Sequence, residues 1–233
     1  MAPVIWGLDL DEVKWSKFKP SYMWSNEYHL RRTKFIIYQC AMISTVVSEV
    51  LGTTAQLKYV HQQSYIESHS DGKASEYNND FVRVCTYNIF VGVYVAAIFG
   101  AAFFFDLFFP ERRETKAVKI AWKVCSVLAC AFTLSSAIAM TVIITPRSAV
   151  VYAVPGSGIT QDDAESLFRA AGGPPLKYIR YAKTLASLVF VWIGVISTTA
   201  SSILLWRSQD HIAAHGPKTV KFSQEEATGT EMV

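Results

Sequence analysis

Of 233 residues, 51% are hydrophobic and 13% aromatic, yet only 18% are charged, where soluble domains carry about 25% charged residues. The net charge of +3 is too small, and the basic residues too scattered, for a nucleic-acid partner. The apolar residues gather into long blocks instead of alternating with polar ones, which excludes an ordinary soluble domain and points to the lipid bilayer as the surroundings.

In chain order, residues 1–34 form an aromatic and basic N-terminal segment, expected to be cytoplasmic. The first twenty residues hold no apolar run of signal-peptide length, so the chain is expected to enter the membrane through its own first span. Leu10, Val13 and Phe18 lie near helical spacing beside Lys14 and Lys17. Two readings stay open for them: a short amphipathic segment lying on the inner leaflet, or an irregular segment packed under the bundle. The first span covers residues 35–55, and a polar, turn-rich outer loop follows over 56–84. The second span covers 85–109. A connection of only about ten residues makes it an antiparallel neighbour of the third span, at 120–145.

The second outer loop, 146–183, has the clearest local structure. Ser148–Val154 (SAVVYAV) reads as a short extended segment ended by Pro155 and Gly156. Thr160 with Asp163 reads as a capping pair for a short helix over 161–171, stopped by Gly172-Gly173 and Pro174-Pro175. The fourth span covers 184–206, and 207–233 reads as a disordered cytoplasmic tail. Each apolar block reaches the ~20 residues that cross ~30 Å of hydrocarbon. None alternates as a barrel strand does, so all four are expected to be helices. The expected fold is therefore an all-α membrane protein: a four-helix transmembrane bundle, residues 35–206, with a short extramembrane helix in the second outer loop.

Orientation follows from Lys and Arg beside the spans. Lys17, Lys19, Arg31, Arg32 and Lys34, then Arg112, Arg113, Lys116 and Lys119, then Arg207, Lys218 and Lys221 mark one side. Their density exceeds that of the two longer loops, even counting Lys177, Arg180 and Lys183. Both termini are expected in the cytoplasm, in the plasma membrane or the secretory pathway. Trp6, Trp15, Trp24, Trp122 and Trp206 would form an aromatic belt on that side, with Trp192 alone in mid-span.

Helices in lipid associate through close approach at small residues. Ser44, Ser48 and Gly52 make such a ridge in the first span, and Gly92, Ala96 and Gly100 in the second, with Asn88 one turn earlier. Ala129, Thr133, Ala137 and Thr141 make one in the third, and Gly194, Thr198 and Ser202 in the fourth. They read mainly as contacts within one bundle, with contacts to other copies as the alternative.

Polar residues inside the spans are costly and therefore informative. Glu49 is either a bundle-facing acid hydrogen-bonded to Ser135 or Tyr94, or an end-of-helix side chain reaching the outer headgroups. Asp106 and Lys123 are close enough in depth to pair, and Gln39 reads as a helix–helix hydrogen bond. No catalytic site, cofactor site or metal site is expected. The five histidines fall outside the spans, and no HExxH, CxxC or Gly-rich phosphate loop occurs. His61, His69, Glu67 and Asp71 are too loosely spaced for a metal site. No cysteine pair lies in the outer loops, so no disulfide is expected there.

Four spans, cytoplasmic ends and small-residue ridges without a catalytic motif resemble the broad tetraspan class, which includes MARVEL-type proteins and the claudin-like proteins of fungal cortical membrane domains. The likeness covers about residues 35–206 and is one of architecture. The claudin-like Trp followed by paired cysteines is missing from 56–84, as is the Cys-Cys-Gly of tetraspanins, so the MARVEL-type likeness is the least contradicted. It implies a role in organising membrane domains or trafficking and carries over no functional residue. The expected function is a non-enzymatic organiser, scaffold or accessory subunit of a larger membrane complex. Its expected partners are the lipid bilayer and either its own copies or another membrane protein. The alternative is a small channel or transporter with Glu49 in its polar path.

Overall fold

The computed structural model describes residues 4–5, 8–112 and 114–219. Strands β1 (Val4–Ile5) and β2 (Leu8–Asp9) pair antiparallel near the N-terminus, followed by the one-turn helix α1 (Pro20–Met23). Four long helices dominate: α2 (Arg31–His69), α3 (Asn79–Phe108), α4 (Lys116–Ile144) and α6 (Ala182–His215). Each holds a stretch apolar and long enough to cross a membrane. Strands β3 (Ala74–Tyr77) and β4 (Val150–Ala153) and the short helix α5 (Gln161–Ala170) complete the described chain. It is an all-α multi-pass membrane protein built as a four-helix bundle, as expected.

Outward faces identify the solvent. Ile36, Ile43, Val50 and Leu57, seven residues apart on α2, all face outward, while Ser44, Ser48 and Gly52 of the same helix are buried. Apolar outside and small or polar inside is the reverse of a soluble helix, and suits lipid as the solvent. The helices also outrun their apolar stretches. At 1.5 Å per residue, the 39 residues of α2 extend about 58 Å, nearly twice the hydrocarbon thickness. The expected boundaries are corrected accordingly: 79–84, expected as loop, open α3, and 116–119, expected as connection, open α4. The segment 56–69, expected as loop, is helix because Ala55, Tyr59, Gln62 and Ile66 continue one buried stripe at helical spacing. Residues 207–215, expected as disordered tail, complete α6, whose Leu205 and Ser208 are buried and whose end is set by Gly216 at φ +82°. The rest of that expected tail, 220–233, lies outside the described residues.

The chain divides into two compact units, and each long helix contributes one stretch to each. The first unit holds Met1–Met42, Tyr94–Ala131 and Ile196–Val233. Its N-terminal segment follows the irregular alternative, made of short 3-10 turns at Leu10–Glu12 and Trp15–Phe18 and then α1. Phe18 meets Phe108 edge-on, and Lys17 donates to the Phe108 carbonyl at 2.6 Å. His29 stacks on His211 at a centroid distance of 3.6 Å, while Thr219 N–H donates to the Glu27 carbonyl at 2.8 Å.

The second unit holds Ile43–Val93 and Phe132–Val195. Asp71 and Gly72, at φ +51° and +76°, turn the chain out of α2 into β3. Strand β3 pairs antiparallel with β4, from Ala74 opposite Ala153 to Tyr77 opposite Val150. Ile66, Ala74, Val151 and Ala164 form a small core beneath α5. A larger core gathers Tyr59, Phe81 and Tyr178, whose rings lie 4.8–5.3 Å apart between centroids. Tyr178 donates to Asp80 Oδ1 at 2.9 Å and Tyr59 to the Pro175 carbonyl at 2.7 Å, so both phenols bury their rings with a partner for the hydroxyl.

The expected capping pair is present. Thr160 Oγ1 accepts from the Asp163 N–H at 3.2 Å, and Asp163 Oδ2 accepts from the Thr160 N–H at 2.9 Å. These bonds hold the Asp163 carboxyl below the usual range. Thr160→Ala is expected to lower the stability of α5 by about 1 kcal/mol, read as faster limited proteolysis within 156–172 in the folded chain. Unchanged proteolysis would show that packing of Ala164, not the cap, holds this helix.

Candidate functional site

Two polar clusters stand inside the bundle, one in each unit. In the second unit, the side chains of Ser48 (α2), Asn88 (α3), Ser136 (α4) and Ser187 (α6) are all buried. Asn88 Nδ2 donates to Ser48 Oγ at 3.1 Å, and Ser136 Oγ donates to Asn88 Oδ1 at 3.0 Å. Ser48 Oγ donates to the Ser187 carbonyl at 2.9 Å, and Ser187 Oγ returns a bond to the Ser48 carbonyl at 2.7 Å. One asparagine with three serines thus joins all four helices, in surroundings where no water competes for the bonds.

Around this network several small residues sit where an added Cβ would meet a neighbouring helix. A Cβ on Gly92 would lie 2.5 Å from Glu49 Oε2, one on Gly194 3.0 Å from Thr45 Cγ2, and one on Gly52 3.1 Å from Ser187 Oγ. Ser44, Thr133 and Ala137 are buried too, as are Ala129, Thr198 and Ser202 of the first unit. Ala96, Gly100 and Thr141 are half-buried. Gly194→Val is expected to cost about 1–3 kcal/mol by overpacking against Thr45, measured as a lower midpoint of thermal unfolding in lipid discs. An unchanged midpoint would remove the close approach of α2 and α6 from the account.

Glu49 lies within helix α2, which continues past it to His69, so it is no end-of-helix residue. Of its two candidate partners, Ser135 Oγ shares a 2.7 Å bond with Tyr87, and Tyr94 donates to the Cys125 carbonyl at 3.3 Å. Its half-buried carboxylate lies over Gly92 and has no ion pair among the described residues. Gln39 is half-buried on α2.

The first unit holds the ionic cluster. Asp106 accepts from Lys34 Nζ at 2.7 Å and from Arg112 Nη1 at 3.1 Å, and Arg112 Nε also donates to Glu114 at 2.7 Å. Lys34 completes its shell on Ser208 Oγ at 2.9 Å. The expected pairing of Asp106 with Lys123 is corrected: Lys123 pairs with Asp210 at 2.9 Å. Equal depth does not put two side chains on facing sides, and Lys34 holds the position opposite Asp106. Arg31 is buried below, over the rings of Tyr22 and Tyr28, and Nη2 donates to the Leu107 carbonyl at 3.4 Å.

The network serines Ser136 and Ser187 were absent from the expected ridges, although spacing marks them. Ser187 lies seven residues before Gly194, and Ser136 seven after Ala129. Lys34 and Arg112, topology markers in the sequence, are here the partners of Asp106. Cys85 is buried and Cys40 exposed. Among the described residues no group of three or more His, Cys, Asp or Glu side chains is placed to hold a metal ion.

Comparison with protein-family models, with curated proteins and with solved structures gives no match for this chain.

Proposed function

We propose that this protein is a non-enzymatic tetraspan organiser of membrane domains, a MARVEL-type scaffold or an accessory subunit of a larger membrane complex. The observation that supports it most is the buried Ser48–Asn88–Ser136–Ser187 network. Helices lining a water-filled pore turn their polar side chains to the water; here those side chains are spent on one another. With the ridges used inside the bundle, the outward apolar faces and the β3–β4–α5 cap are left for partners. Basic residues at 112–119 and in the N-terminal segment support a cytoplasmic position for both termini.

The test is the mass of the full chain purified in a mild detergent and in native lipid discs. A discrete complex, of several copies or with a second membrane protein, is the expected result. A clean monomer in both would overturn it. The second reading, a small channel or transporter, rests on Glu49, an intramembrane carboxylate without an ion pair among the described residues. It requires ion flux in reconstituted vesicles that Glu49→Gln abolishes.

A further inference from the structure

Within the first unit, a polar cavity and an apolar groove meet. The cavity, of about 410 Å³, is lined by Tyr38, Asp106, Arg112, Lys119, Trp122 and Gln209 among others. The groove, of about 610 Å³, runs between α3 and α4 past Ile98, Phe105, Val118, Trp122 and Cys125. Arg112, Glu114 and Trp122 line both. Each volume lies within the usual range of about 300–1,000 Å³ for small-molecule sites.

The cavity is built for a polar guest. Tyr38 is fully buried, yet its hydroxyl has no hydrogen-bond partner among the described residues, and Gln209 Oε1 has none there either. A buried hydroxyl left unsatisfied costs about 1–3 kcal/mol, so a ligand that accepts from it gains by entering. The charges are also sorted. Asp106 is neutralised by Lys34 and Arg112, and Glu114 by Arg112. Two lining groups have no ion pair among the described residues: the ammonium of Lys119 and the carboxylate of Glu111, which only accepts from Tyr28 at 3.3 Å. One unpaired charge of each sign complements a zwitterion.

The groove supplies the other half. From Ile98 to Phe105, and from Val118 to Cys125, seven residues of helix give about 10 Å of apolar wall. Val118 on that wall is 44% exposed. A polar chamber with both signs of charge, continuous with an apolar channel at the end of apolar spans, matches an amphiphile with a zwitterionic head.

We infer that the first unit holds one zwitterionic glycerophospholipid, its phosphocholine or phosphoethanolamine head in the Tyr38–Asp106–Lys119 cavity and an acyl chain in the Ile98–Val118–Trp122 groove. Lys119 and the Tyr38 hydroxyl take the phosphate, and Glu111 takes the head-group cation. The site does not depend on the scaffold reading above.

The experiment is native mass spectrometry of the full chain released from detergent after equilibration with equimolar dioleoylphosphatidylcholine and dioleoylphosphatidylglycerol. One phosphatidylcholine per chain is expected, favoured over phosphatidylglycerol by about tenfold. Lys119→Glu and Val118→Trp should each lower retention about tenfold, while Ile138→Trp, also on the outward face of α4, should leave it unchanged. Tyr38→Phe removes one oxygen and keeps the ring, and should lower retention without lowering the unfolding midpoint. Equal retention by every variant would mean annular lipid only and overturns the site. Preference for phosphatidylglycerol overturns the zwitterion assignment. Displacement by soluble phosphocholine at the concentration at which the phospholipid competes overturns the groove.

Discussion

Asp106→Leu is expected to lower the stability of the folded chain by about 3–5 kcal/mol, the cost of leaving buried charge without its counterion. Asp106 receives Lys34 and Arg112 at 2.7 and 3.1 Å, and the side chains of Lys34 and Asp106 are 7% and 13% exposed. Removing the carboxylate strands two cations, of which only Arg112 keeps another acid, Glu114. The pair itself adds much less than this loss, because desolvating both ions offsets most of their attraction. Lys34→Met combined with Asp106→Leu should therefore recover a large part of what Asp106→Leu loses. Lys123→Met should change little, since its partner Asp210 is 71% exposed and such pairs contribute about 0–1 kcal/mol. Unfolding in lipid discs measures all four proteins. A loss below about 1 kcal/mol for Asp106→Leu, or no recovery in the double variant, would show that the cluster is screened by solvent.

This contrast marks how much of the fold is legible in the sequence. The spans follow from run length alone, because nothing but a helix satisfies the backbone in lipid. The α5 helix follows from Thr160 and Asp163, a local signal needing no tertiary information. The ridges were legible for the same reason, since spacing along one helix defines a face. What stayed hidden was which faces meet. Asp106 and Lys123 share a depth, but the rotation of α3 and α4 about their axes decides the pair, and single-chain spacing does not contain it. The β3–β4 pairing was hidden as well: Ala74–Tyr77 is polar, short and separated from Val150–Ala153 by two spans. The helix ends were misplaced because polarity was read as loop. Lys58 and His61 are exposed while Ala55, Tyr59, Gln62 and Ile66 are buried at helical spacing, a stripe that runs through the polar residues to the end of α2 at His69.

Nothing in the sequence marks Glu76 either, although it sits in a four-residue strand with its side chain turned inward. It is 1% exposed. Among the described residues its Oε1 accepts only a long 3.5 Å bond from Asn78 Nδ2, and Oε2 has no partner. Burial pushes its carboxyl up to about 7, with the Asn78 bond acting weakly in the other direction. The folded chain therefore holds a proton that the unfolded chain releases near pH 4.5. Between those values the native state binds more protons, so stability must fall as pH rises. The contribution is fully present below about pH 4.5 and is lost through pH 7. Glu76→Gln, neutral at every pH and of the same shape, should then be more stable than the parent at pH 8, by on the order of 2 kcal/mol, and no more stable at pH 4.5. His29 runs oppositely: burial, then His211, Lys34 and His215, lower its pKa, so its contribution is lost as pH falls below about 6.5. It lies in the other unit and is common to both proteins, so the difference between their unfolding midpoints at pH 4.5 and pH 8 isolates Glu76. Parallel profiles would mean that Glu76 is ionised in the fold, paired with a group or a water that compensates its burial. Converging profiles at low pH would show that Glu76 is protonated in the fold.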